Sequence, residues 1–132
     1  MRRLGEQLAS APPEIQCAYL YGSVARGTSG ARSDVDLGVL LAARPPATLQ
    51  GRMLDYEAAL EQALGRPVQV VVLNDAPADL VHRVLRDGRI LLDRDRSARI
   101  RFEVRARNEY FDLLPILRRY RAAALRKASA RP

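Results

Sequence analysis

The chain has 132 residues and a net charge of +7, a length suited to one domain with an ordinary core. It holds neither the run of roughly 18 apolar residues that a membrane span requires nor a charged-then-apolar leader of the secretory type. A single cysteine, Cys17, excludes an intrachain disulfide and fits a reducing cytoplasm.

Residues 2–11 are expected to form a short helix, which Pro12 and Pro13 end because proline cannot continue one. Residues 17–21, Cys-Ala-Tyr-Leu-Tyr, predict a compact strand. Cys17, Tyr19 and Tyr21 on it read as core, and Cys17 is no nucleophile because the only histidine, His82, lies far off in sequence. Residues 28–33 predict a flexible loop, and 35–41 a second strand, apolar apart from Asp36 and so covered on both faces. A loop over 42–47 contains Pro45 and Pro46. Leu49, Met53, Tyr56, Leu60 and Leu64 then fall at helical spacing, giving a helix closed by Gly65 and Pro67.

Residues 68–73, rich in valine, predict a third strand. A helix opening at Asp79 or the Pro77 turn carries Leu80, Val81, Val84 and Leu85, with Gly88 as its C-cap. His82 falls on the polar face of this helix and reads as a surface residue. Residues 90–92 predict a short strand. From about Asp95 a long helical stretch follows, with Ile100, Val104, Tyr110 or Phe111, Leu114, Leu117 and Tyr120 as its apolar stripe. Pro115 is expected to kink or split it, and residues after Lys127 to fray. Strands alternating with helices predict an α/β layer fold over 1–94, with a helical segment over 95–132 packed on it.

The charge is concentrated in that last segment. Residues 94–132 hold 12 Lys or Arg against 4 Asp or Glu, whereas residues 1–93 hold 10 against 11. A basic segment of this kind suits an acidic protein surface or nucleic acid. Single arginines scattered along a helix, without a groove-reading motif, favour the protein.

The most informative stretch runs from Tyr21-Gly22-Ser23-Val24-Ala25-Arg26-Gly27 to Ser33-Asp34-Val35-Asp36-Leu37. Side chains two apart on a strand share a face, so Asp34 and Asp36 project together while Val35 packs behind. Adjacent carboxylates repel unless a cation sits between them, and Mg²⁺ takes oxygen ligands of this kind. The Gly-Ser turn brings backbone N–H groups to the same place, which suits an anion. A metal-binding pair beside a phosphate cradle reads as a nucleoside triphosphate site. Gly22, Ser23, Arg26 and Ser33 are its candidate nucleotide-binding residues. Gly22 permits close approach and Ser23 contacts phosphate. Arg26 either neutralises a phosphate or faces solvent, and Ser33 chiefly shapes the turn into Asp34.

These residues resemble the nucleotidyltransferase superfamily that includes DNA polymerase beta and kanamycin nucleotidyltransferase. More narrowly, the chain resembles the stand-alone minimal nucleotidyltransferase (MNT) domains, the antitoxins of HEPN/MNT toxin–antitoxin pairs. Residues 70–77, Val-Val-Val-Leu-Asn-Asp-Ala-Pro, and the stretch from Arg101 to Asp112 add to the likeness. The resemblance implies a mixed sheet of about four or five strands with the active site at one end. It implies Mg²⁺ and ATP as cofactors, Asp34 and Asp36 as catalytic metal ligands, and a cognate HEPN ribonuclease toxin as partner in a hetero-oligomer. The implied reaction is AMP transfer to a tyrosine of that toxin. Aminoglycoside-type transferases and DNA polymerases carry a further domain for which 132 residues leave no room.

The resemblance also implies a third carboxylate on a later strand. Here that position is Gln69. An amide is uncharged and cannot deprotonate an attacking hydroxyl, so the alternative is a weakened antitoxin that neutralises its toxin by complex formation. Asp75, six residues on, is expected to cap the following turn or helix instead of replacing it.

Overall fold

A computed structural model describes residues 2–22, 27, 34–42 and 47–130 of the chain. The expected loop at 28–33 and residues 43–46 of the expected 42–47 loop lie outside them, and Ala47 already opens a helix. The elements, in order, are α1 (Arg2–Ala9), β1 (Ile15–Tyr21), β2 (Val35–Leu41), α2 (Ala47–Leu64), β3 (Val68–Val72), α3 (Ala78–Asp87), β4 (Arg89–Asp93) and α4 (Arg96–Ala130). The strands form one mixed sheet in the order β3-β2-β1-β4. Central β1 runs antiparallel to both β2 and β4, and β2 runs parallel to β3. This is an α/β fold, a four-stranded mixed sheet with helices on both faces and a long C-terminal helix.

Both faces of the sheet are covered, as the apolar strands require. One face presents Ala18, Leu20, Leu37 and Val39 to Leu4 and Leu8 of α1 and to Met53 and Leu60 of α2. The other presents Cys17, Tyr19 and Leu40 to Val81 and Val84 of α3 and to Phe102 and Ala106 of α4. Edge strand β3 is capped sideways: the N–H groups of Val68 and Val70 donate to Glu61 and Glu57 of α2 at 3.0 and 2.8 Å. Occupied donors make that edge a poor template for another strand.

Strand β1 begins at Ile15, two residues before its expected start, because fully buried Ile15 already pairs with Leu41. Helix α3 has Pro77 as its N-cap with no side-chain capping bond, so the Pro77 turn opens it and not Asp79. Gly88 is its C-cap, donating to the Val84 carbonyl at 2.8 Å. Asp95 caps α4, where its Oδ1 accepts from the Ala98 N–H at 3.0 Å.

Helix α4 departs from expectation in two ways. It runs unsplit through Pro115, and it continues past Lys127 to Ala130, where the sequence predicts fraying. The carbonyl that proline deprives of a partner belongs to Phe111, on an exposed turn. The face that packs is also different. Ile100 and Val104 are 42% and 51% exposed, whereas Phe102 and Ala106 are buried. Tyr19 explains the choice: its hydroxyl donates to Glu103 Oε1 at 2.8 Å, and Arg99 joins Glu103 to Asp93 of β4. These bonds turn the 99, 102, 103 and 106 side of the helix inward.

Candidate nucleotidyl-transfer site

The end of the sheet where β1 finishes and β2 and β3 begin gathers the chain's most informative residues. Alternation on β2 sends Val35, Leu37 and Val39 into the α1–α2 core, so Asp36 points to the opposite face. Register then brings three residues into one row. Asp36 pairs with Tyr21 on β1 and with Gln69 on β3. In-register neighbours share a face, so the Gln69 amide stands beside the Asp36 carboxyl. Asp34, two residues earlier, is exposed, while Asp36 and Tyr21 are half-buried.

Burial, and then the neighbouring Asp34 charge, hold the Asp36 carboxyl above its ordinary range. The Tyr21 phenol is likewise pushed up by burial and by Asp36, and the Arg83 guanidinium of α3 pulls it back. Like charges facing each other across a half-buried strand end form a site that gains by taking up a cation. Asp34, Asp36 and Gln69 offer only oxygen donors there, the set a hard divalent ion takes. Among the described residues no three His, Cys, Asp or Glu side chains gather at one point. The site therefore supplies two carboxylates, Asp34 and Asp36, and the neutral amide oxygen of Gln69.

Gly22 closes the site from the β1 side. Its φ of +76° lies in the left-handed region, and a Cβ there would come within 2.4 Å of Asp36 Oδ2. The missing side chain thus leaves backbone pressed against the carboxylate, where a phosphate oxygen and a metal would need access. Ser23, Arg26 and Ser33 lie outside the described residues. Gln69 is exposed. Asp75 sits beyond the other end of β3, on the order of 10 Å or more along the strand from Gln69, and so cannot serve as the third ligand. Arg83, which carries no local motif, became visible only through the packing of α3 on β1.

His82 is not the free surface residue expected. It is half-buried and stacks on Tyr110 of α4, with ring centroids 3.7 Å apart and planes 4° from parallel. Cys17 is buried and free, as core filler should be, and burial pushes its thiol up to about 11.

The family model described as polymerase beta, nucleotidyltransferase, matches residues 6–97. The chain belongs to the polymerase beta nucleotidyltransferase family. No curated protein sequence matches it. Among solved structures, this nucleotidyltransferase is similar over 98% of both chains to a toxin–antitoxin with AMP-PNP, at 26% identity and a TM-score of 0.72. It is also similar to a chain of the tri-AMPylated Shewanella oneidensis HEPN toxin in complex with MNT antitoxin. There the identity is 24% and the TM-score 0.67, covering 98% of this chain and all of that one. A third likeness is to the MntA–HepT toxin–antitoxin, at 23% identity and a TM-score of 0.66, over 98% of this chain and 96% of that one.

Among the described residues, no helix is long and apolar enough to cross a membrane.

Proposed function

We propose that this nucleotidyltransferase is the antitoxin of a HEPN/MNT pair and transfers AMP from Mg-ATP to a tyrosine of its cognate HEPN toxin. The observation that carries the reading is the row Tyr21, Asp36 and Gln69, with Asp34 adjacent and Gly22 clearing the approach. The end-to-end likeness to toxin–antitoxin chains, one of them with AMP-PNP and one with a tri-AMPylated toxin, supports the partner and the nucleotide.

In this reaction a toxin phenol oxygen bonds to the α-phosphorus of ATP. The bond from that phosphorus to the bridging oxygen breaks, pyrophosphate leaves, and the phenol proton passes to solvent. Mg²⁺ held by Asp34 and Asp36 would offset charge on the triphosphate. The chain's own part is to fix that pair at a strand end, keep the Gly22 backbone clear of side chain, and set Arg83 on the same side as a further positive charge. Asp34 and Asp36 are thus assigned as catalytic metal ligands, and Gly22, Ser23, Arg26 and Ser33 as the nucleotide-binding stretch.

Gln69 favours a second reading, in which transfer is slow and the antitoxin acts by occupying the toxin. Incubation with ATP labelled at the α-phosphate, followed by mass analysis of the toxin, separates the two. Label on a toxin tyrosine is the expected result. A stable complex without label supports the second reading, and neither label nor complex removes both.

A further inference from the structure

Helix α4 has 35 residues, about 50 Å of helix, whereas the strands it crosses have 5–7 residues, about 20 Å. Its apolar stripe runs on past the sheet at spacings of three and four. Phe102 and Ala106 are buried and Tyr110 is half-covered by its stack on His82. The same stripe goes on through Leu113 and Leu117 to Tyr120, which is 73% exposed. From Arg118 to Ser129 every residue is exposed. A helix of that length with no packed face is marginal in water, because helices in proteins draw most of their stability from burying a stripe.

The charge of the outer half is one-sided. After Asp112 the chain has no Asp or Glu, while Arg118, Arg119, Arg121, Arg126 and Lys127 follow. Arg119 and Arg126 flank a shallow hollow floored by Ile116, Tyr120 and Ala123. A second copy of this chain would set arginine against arginine with no carboxylate to balance them. Bare phosphate would satisfy the arginines and leave Ile116 and Tyr120 in water.

We infer that the outer half of α4, from Leu113 onward, docks in an apolar groove rimmed by carboxylates on a partner protein. Resting on the proposed function, that partner is the HEPN toxin. Tyr120 and Ile116 are its anchors, a tyrosine between arginines being a common centre of binding energy. Arg119 and Arg126 meet the acidic rim and speed encounter.

The test uses the full-length chain with its cognate toxin. Ile116→Asp with Tyr120→Asp changes exposed positions, and circular dichroism checks that the helix persists. Expected is a loss of toxin affinity of about a hundredfold or more, with Mg-ATP affinity unchanged and AMP transfer recovered at saturating toxin. A second variant, Arg119→Glu with Arg126→Glu, should slow association about tenfold and weaken its dependence on salt. Toxin affinity within threefold of wild type in both variants overturns this docking surface and leaves the antitoxin reading standing. Loss of duplex RNA binding in the variants, with toxin binding retained, overturns it in favour of nucleic acid. Failure of the wild-type chain to bind the toxin removes the antitoxin reading itself.

Discussion

The carboxylate end of the sheet and the outer half of α4 are opposites in charge and in how they are held. At the sheet end, the registers of three strands place Tyr21, Asp36 and Gln69 side by side, and Gly22 presses its backbone on Asp36. Those positions are set before any ligand arrives, as a site for charge stabilisation must be. The outer half of α4 is exposed apart from the half-covered Leu113, Leu114 and Leu117, and it carries only positive charge. One region is organised by its own fold and the other waits for a partner. Chemistry and recognition are therefore separable by mutation.

The sharpest way to break that separation is truncation. A chain ending after Arg99 loses Phe102, Ala106 and the Glu103 bond to Tyr19. Losing the buried Phe102 alone costs about 3–5 kcal/mol, a large part of typical stability, so this chain should fail to give a cooperative melt. A chain ending after Asp112 keeps those contacts and the His82–Tyr110 stack and should melt within a few degrees of the full length, as followed by circular dichroism. Loss of folding in the longer truncation would show that the outer half supports the domain.

Next in size is Gly22→Ala. The left-handed backbone costs a non-glycine residue about 1–2 kcal/mol, and the added Cβ displaces the Asp36 carboxylate. Mg-ATP affinity should fall about tenfold or more, a drop of about 1.4 kcal/mol or more, while toxin capture is retained. Affinity equal to wild type would mean that the Gly22 contact with Asp36 does not shape the nucleotide site.

Gln69→Asp sharpens the contrast from the other side by adding charge to the row. AMP transfer should rise about tenfold or more if a missing base limits it. Equal or lower transfer in a labelled-ATP assay would show that the third carboxylate was not limiting.

The smallest effect belongs to the core between the two regions. Cys17, pushed up to about 11 by burial, stays neutral in the folded chain while the unfolded thiol ionises near its ordinary 9.0. Its contribution to stability is complete below pH 9 and lost as pH rises from 9 toward 11. Melting temperature should fall over that range, and Cys17→Ala should flatten part of the slope. An unchanged slope in the variant would place the alkaline loss elsewhere, as at buried Tyr19, whose phenol is also raised by burial.

Much of the sheet end was legible because its signals are local. Asp34 and Asp36 needed only the two-residue period of a strand, and the valines of β3 needed only their composition. That Gln69 lies beside Asp36 is a long-range register, which a strand's own residues do not encode. The closeness of Gly22 to Asp36 depends on a turn conformation. On α4 the sequence offers two apolar stripes at helical spacing, one through Ile100 and Val104 and one through Phe102 and Ala106. Long-range bonds select between them: Tyr19 to Glu103, 84 residues apart, and Arg99 to Asp93 of β4. His82 reads as polar surface until α4 brings Tyr110 against it, and Arg83 has no signal at all before α3 packs on β1.

The most direct test is titration calorimetry of Mg-ATP into the wild-type chain and into Asp34→Asn with Asp36→Asn. Neutral amides remove the charge that holds the divalent ion, so metal-dependent ATP binding should disappear in the double variant while its melting curve stays cooperative. Unchanged Mg-ATP affinity in a folded double variant would contradict a nucleotide site at this end of the sheet.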